Sequence, residues 1–234
     1  MKKKYPSSEY ELLQKLHHFF NLEAVNNYPL GPGDDAAVRR GSSETQVLTT
    51  DVAVENVHFS LDQMSFREAG FRALVSNLSD CAAMGAHAES ALVTIVFPKK
   101  ERPIESAMLQ LYKGMHRACS RWNVAIVGGD LSAGPCWMVS ITLIGSLPAG
   151  ARTLTRRGAK RGDGIWISGT PGESAAGLAA LLKWGRKNVP NRFRPFVRRH
   201  VAPVPRLEMG TMLRDEPSVH AGIDVSDGIA SECR

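Results

Sequence analysis

Aspartates in small, flexible settings recur along this chain. Gly31-Pro32-Gly33-Asp34-Asp35-Ala36-Ala37-Val38 turns the backbone and presents two adjacent carboxylates before a short apolar run. Glycine permits positive φ and lets a ligand approach the backbone. Neighbouring carboxylates repel unless a cation or hydrogen-bond donors lie between them. By itself the stretch reads as a polar turn before a strand. The same design returns in Thr49-Thr50-Asp51, Asn77-Leu78-Ser79-Asp80, Gly128-Gly129-Asp130 and Asp224-Val225-Ser226-Asp227-Gly228. Each places an aspartate at or near the end of an apolar segment. Dispersed carboxylates among Gly, Ser and Thr suit hard cations, and Mg²⁺ holds phosphates through one or two carboxylates at a time. Phosphoryl transfer needs such carboxylates, cationic groups for the developing charge and a positioned nucleophile. Arg156 and its neighbours supply the cations. No Ser-His-Asp triad or nucleophilic cysteine emerges, and the paired acids of sugar hydrolysis would leave most of the aspartates unexplained.

The elements that must position these residues follow from periodicity and punctuation. Ser8-Glu9-Tyr10-Glu11 has capping-box form, and Leu12, Leu13, Leu16, Phe19 and Phe20 recur at helical spacing behind it. Gln46 to Thr50 reads as a strand that delivers Asp51 at its end, and Val52 to Phe59, with Asn56 and His58, reads as irregular or extended. Ser65-Phe66-Arg67-Glu68 is a second capping box, and its helix is predicted to run to Gly85. Asn77 and Asp80 share one face of that helix among alanines, where a surface helix would carry Lys and Glu. Ala91 to Phe97 reads as a buried strand ended by Pro98. Pro103 opens a helix with a core stripe of Ile104, Ala107, Met108, Leu111, Met115, Ala118, Cys119 and Trp122. Val124 to Val127 is a short strand ending on Gly128-Gly129-Asp130, and Trp137 to Ile144 an alternating one. The order predicts an α+β or mixed α/β fold.

A boundary falls near Leu147 to Arg152, dividing residues 1–150 from 151–234. Beyond it, a turn over Gly158 to Gly164 feeds a strand over Ile165 to Ser168. Gly169-Thr170-Pro171-Gly172 is a tight turn first and an anion site second, ahead of a helix over Ser174 to Trp184. No Gly-Lys-Ser/Thr follows it, so it is not a Walker A loop. A short helix over Arg206 to Arg214 and a strand over Ala221 to Val225, bearing Asp224 at its exit, complete the reading.

The 234 residues can bury a sizeable core, and the formal charge of +6 admits an anionic partner. The basic stretches from Arg152 to Arg161 and Arg186 to Arg206 lack interleaved aromatics or a nucleic-acid-binding signature, so they read mainly as solvated charge and no nucleic acid is expected. No bilayer-spanning or signal segment is evident, and a cytoplasmic location is expected. Cys81, Cys119, Cys136 and Cys233 form no C-x-x-C pair, and the first three are expected to be buried thiols.

Together, Gly33-Asp34-Asp35-Ala36-Ala37-Val38, Thr49-Thr50-Asp51 with Asn56-Val57-His58-Phe59, Asn77 to Ala86, Val127-Gly128-Gly129-Asp130 and Ile223-Asp224-Val225-Ser226-Asp227-Gly228 resemble the thiamine-monophosphate kinase family, within the aminoimidazole-ribonucleotide-synthetase superfamily. The resemblance implies ATP-dependent phosphorylation of thiamine monophosphate to thiamine diphosphate by direct transfer. It implies a homodimer in which N-terminal strands of both subunits close a barrel. It places Mg²⁺ ligands at Asp35, Thr49, Thr50, Asp51, Asp80, Asp130, Asp224 and Asp227. ATP contacts fall at Gly129, Asp130, Arg156, Ser226 and Tyr112, a substrate contact at His58, and Asp34 is read as supporting its neighbour. Superfamily relatives are the nearest rivals; selenophosphate synthetase, one of them, carries a reactive cysteine or selenocysteine near its start, and no Cys precedes Cys81 here. The family's second domain continues past the motif ending at Gly228, whereas this chain stops at Arg234. The second domain is therefore expected to be incomplete, without an acidic and an aromatic contact to the thiamine moiety. An alternative is a non-catalytic nucleotide-binding or dimerisation chain.

Overall fold

Alternating burial organises the N-terminal part. Along β4 (Met138–Leu147), Val139, Ile141 and Leu143 are buried while Ser140, Thr142 and Ile144 are not. Along β2 (His87–Pro98), Ala91, Val93 and Ile95 are buried in the same rhythm. A period of two marks a sheet with one covered face. The computed structural model describes residues 15, 16, 19, 45–99 and 103–233. Its four-stranded sheet has the order β1-β4-β2-β3, with β1 at Thr45–Val54 and β3 at Ala125–Gly134. β1 and β2 both pair with β4 antiparallel, and β3 pairs with β2 in parallel. The Gly31 to Val38 turn, with Asp34 and Asp35, and the Ser8 capping box lie outside the described residues.

Two helices cover one face. In α1 (Phe66–Ala83), Ser65 Oγ accepts from Glu68 N while the Glu68 carboxylate accepts from Ser65 N, the predicted capping box. The helix closes at Met84, and Gly85 (φ 70°) turns the chain away. In α2 (Ile104–Trp122), the predicted stripe faces the core; Ala107 and Trp122 pack at its rim. The helices cross backbone to backbone. A Cβ on Gly70 would lie 2.1 Å from Leu111 O, and one on Gly114 would lie 1.9 Å from Arg67 O. Among the described residues no helix covers the other sheet face, and Leu48 (65% exposed), Val52 (43%) and Leu92 (38%) stand on it.

Two strands are longer than the sequence predicts. β1 continues past Thr50 because Asp51 to Val54 stay paired with Ile141 to Met138. β3 runs through Gly128-Gly129-Asp130, paired with Leu92 to Thr94. A Cβ on Gly129 would lie 1.8 Å from Val93 O, so here glycine serves a close strand contact rather than a break.

Beyond Leu147 the described chain is helical and irregular. It contains α3 (Glu173–Asn188), a 3₁₀ turn at Asn191–Phe193, α4 (Arg194–Val201), α5 (Leu207–Asp215) and α6 (Ile229–Glu232). The strands expected over Ile165–Ser168 and Ala221–Val225 are absent from it. A strand needs a ladder partner, and the described chain offers these segments none; Ile165 and Trp166 are 81% and 92% exposed. α1 joins this region to the sheet. The kink at Gly185 (φ 67°) lets Arg186 donate to Glu68 Oε1 at 2.8 Å and to Gln63 O at 3.0 Å. Arg72 donates to His200 Nε2 at 3.3 Å, and His200 Nδ1 is 3.1 Å from Ser174 Oγ. Arg214 donates to Gly85 O at 2.9 Å, and Gly210 meets Ala82 closely.

All four cysteines are free. Burial pushes the Cys81 and Cys119 thiols up to about 12, so they pack rather than react. Cys136 is only partly buried, contrary to expectation. Among the described residues no helix is long and apolar enough to cross a membrane.

Candidate functional site

The register of β1 decides which of its side chains meet. Thr49 and Asp51 lie on the helix-covered face, while Thr50 points to the other. Thr49 Oγ1 donates to Asp80 Oδ2 at 2.6 Å, joining β1 to the last turn of α1. One residue earlier on α1, Ser79 Oγ donates to Asp224 Oδ2 at 3.0 Å. Thr50 Oγ1 instead donates to Ile141 O at 3.2 Å and lies 3.1 Å from Thr142 Oγ1.

The three carboxylates feel one another. Burial raises the Asp51 pKa, and the charge of Asp224 raises it further while His58 opposes. Asp80 is raised by burial and by Asp51, against the Thr49 hydrogen bond and Arg156. Asp224 is raised by burial, Asp80 and Glu232, against the Ser79 bond and Arg156. All three therefore ionise less readily than an ordinary aspartate, because each sits half-buried beside like charge. The C-terminus of α1 adds its own negative end and has no basic residue in its last turn. Arg156 is the cation that offsets this field at Asp80 and Asp224. His58 stands near Asp51, its Nδ1 accepting from Val54 N at 3.1 Å across a turn with Asn56 at φ 62°.

Other predicted site residues lie elsewhere. Asp130 is on β3, with β4 and β2 between it and β1, so about three strand spacings, ~14 Å, separate the two edges. It is exposed, and its Oδ2 accepts from Ser132 Oγ at 2.8 Å. Tyr112 is 3% exposed, in the core near Phe19, with its phenol pushed upward by burial. Ser226 and Asp227 lie in the exposed turn before α6, where Glu232 Oε1 accepts from Asp227 N at 3.1 Å. Glu232 had no signal in the sequence: four residues of helix carry no readable period. Ser79 was visible only as a letter inside the Asn77 to Asp80 motif.

The donor set is all oxygen and suits a hard cation. Among the described residues, however, no three His, Cys, Asp or Glu side chains close into a ready-made cage. Asp80 and Asp224 each have one oxygen engaged by a hydroxyl. The arrangement suits a cation that also carries ligand oxygens, as Mg²⁺ does with phosphates.

Comparison with known proteins bears on the family and the fold. Residues 33–147 match the family described as AIR synthase related protein, N-terminal domain. The chain is 38% identical over 199 residues to the thiamine-monophosphate kinase of Corynebacterium glutamicum, covering 84% of this chain and 59% of that one. It thus spans about 60% of the length of the curated relatives it matches. Its fold superposes with a TM-score of 0.82 on the thiamine-monophosphate kinase of Stenotrophomonas maltophilia, at 30% identity, covering 96% of this chain and 69% of that one. A structure described as AaThiL complexed with AMPPCP and TMP superposes at 0.75, with 28% identity over 96% of this chain and 68% of that one. With its mixed sheet, its helix-borne aspartate and its ordered acidic motifs, the chain belongs to the thiamine-monophosphate kinase family.

Proposed function

We propose that this chain binds ATP with Mg²⁺ and phosphorylates thiamine monophosphate to thiamine diphosphate by direct transfer. The observation that carries this reading is the convergence of Asp51, Asp80 and Asp224 with Arg156, in a chain whose fold matches a protein solved with AMPPCP and TMP. Bound Mg²⁺ would neutralise phosphate charge between the attacking and leaving groups. Asp51, Asp80 and Asp224, with the Thr49 hydroxyl, are the residues assembled to hold it. Asp35, Asp227, Thr50 on the opposite sheet face and Asp130 across the sheet are assigned to further Mg²⁺ ions of the same site. Gly129, Asp130, Arg156 and Ser226 are assigned to ATP and His58 to the substrate phosphate. Arg156 is assigned to the charge developing on the transferred phosphoryl, and its offsetting charge at Asp80 and Asp224 supports this. Tyr112 is left out of the assignment, since its burial gives a nucleotide no face to touch.

The division into an N-terminal unit of residues 1–150 and a second unit over 151–234 belongs to the same proposal, as do a homodimer and a cytoplasmic setting. The sheet face that no described helix covers, with Leu48, Val52 and Leu92, supports a second copy packing there. Binding without turnover is the second reading. It is favoured by Ile165 and Trp166, which stand in solvent without a ladder partner among the described residues. The deciding experiment supplies ATP, Mg²⁺ and thiamine monophosphate and measures thiamine diphosphate. Binding of a non-hydrolysable ATP analogue is followed in parallel by calorimetry. Product formation that requires Mg²⁺ supports the first reading, Mg²⁺-dependent binding alone the second, and absence of both refutes the site.

A further inference from the structure

We propose that Asp163, acting through His220, is a positioning residue that holds the segment bearing Asp224 against the segment bearing Arg156. The inference rests on the phosphoryl-transfer reading of the carboxylate site. Neither 151–164 nor 216–228 contains helix or strand, so no backbone ladder aligns them. A few bonds do so instead. Gly222 N donates to Thr155 O at 3.1 Å, joining the neighbour of Arg156 to a residue two before Asp224. The chains run so close at Gly158 that a Cβ there would sit 2.4 Å from His220 O. Arg152 donates to Val219 O at 2.8 Å and to Leu213 O at 3.0 Å, gripping the approach to His220 from the other side.

His220 is the one side chain of its segment gripped at both ring nitrogens. Its Nδ1 lies 3.0 and 2.9 Å from the two Asp163 oxygens, and its Nε2 lies 3.3 Å from Lys160 Nζ. An ammonium only donates, so Nε2 accepts and Nδ1 carries the proton given to Asp163. Asp163 is itself fixed, because its Oδ2 accepts from Lys160 N at 2.7 Å within the 160–163 turn. The imidazole is thus clamped in one tautomer and one orientation, on a segment that leads four residues on to Asp224. Both side chains are about one-third exposed, at 29% and 32%. Pairs of that kind contribute little to global stability, so the clamp can be removed without unfolding the protein.

The test measures Mg²⁺-dependent affinity for a non-hydrolysable ATP analogue by calorimetry, with thermal midpoints alongside. Asp163→Ala and His220→Ala are expected to weaken binding roughly tenfold, the cost typical of losing an outer partner of a metal site. Their midpoints should stay near that of the parent. His220→Gln restores binding, since its amide N–H donates to Asp163 while its carbonyl accepts from Lys160. In an Asp224→Ala background, Asp163→Ala has no further effect. A change below about twofold in Asp163→Ala, or a loss that adds fully to that of Asp224→Ala, overturns the positioning role. If Asp224→Ala itself leaves affinity unchanged, the phosphoryl-transfer reading fails, and the positioning role fails with it.

Discussion

Acidifying this protein should release the contact between α1 and the helices that follow residue 172, because His200 is held neutral. The ring is 5% exposed, wedged between Arg72 and Ser174. A guanidinium only donates, so Nε2 accepts and Nδ1 carries the proton. Burial and then the Arg72 charge push the His200 pKa down from 6.5 to about 4. A base whose folded pKa is depressed stabilises the fold above the unfolded value and loses that contribution as pH falls towards the folded one. At 1.36 kcal/mol per unit, moving from pH 7 to pH 5 removes about 2 kcal/mol. For a chain of this size that is a fall of roughly 4–8 °C in melting temperature. Asp51, Asp80 and Asp224 work in the opposite sense, since their folded pKa values are raised and protonation relieves them. The difference between parent and His200→Gln isolates the histidine, because glutamine can accept from Arg72 and donate to Ser174 without titrating. Melting curves from pH 7 to pH 5 should show the parent losing more stability than the variant. Equal losses in both would refute the assignment of the neutral ring.

The carboxylate site sets binding against stability. Asp51→Asn should melt higher than the parent without Mg²⁺, because it removes a half-buried repelling charge, and should lose Mg²⁺-dependent nucleotide affinity by calorimetry. Gly114→Ala places a methyl 1.9 Å from Arg67 O and 2.7 Å from Phe71 N, and should cost about 2 kcal/mol in denaturant unfolding; a parent-like midpoint would contradict the helix crossing. Leu92→Asp, on the sheet face that no described helix covers, should give a monomeric mass by light scattering with its melting temperature retained; an unchanged oligomer would move the interface elsewhere.

The sequence was most legible where a local rule and burial agreed. Ser65 to Glu68 capped α1 as read, and the stripe from Ile104 to Trp122 in α2 faced the core, because each is a property of a single helix. The strand ends were misread wherever a residue had a cross-strand reason to be there. Gly128-Gly129 looked like a stop, yet it is what lets β3 lie against Val93 O. Asp51 looked terminal because a charged residue closes the run from Gln46 to Thr50, but pairing with β4 carries the strand on through Val54. Ile165 to Ser168 and Ala221 to Val225 have strand composition, and composition does not provide a neighbour to pair with. At the site, the identity of Asp51, Asp80 and Asp224 was readable and their convergence was not, since it depends on Thr49 and Ser79 reaching across elements.

The crossing of α1 over α2 has a mechanical consequence. Gly70 and Gly114 bring the two backbones into contact at one point, which makes that point a fulcrum. Asp80 lies ten residues further along α1, a lever of ~15 Å at 1.5 Å per residue. A tilt of about 4° at the fulcrum therefore sweeps Asp80 through ~1 Å, the scale at which positioned chemistry loses about a hundredfold in rate. Arg186 grips one end of the lever at Glu68, Arg214 grips the other at Gly85, and His200 bears on it between them at Arg72. Strain applied to the helices after residue 172 is thus delivered to the carboxylates as rotation, with no need for α1 to bend or unwind.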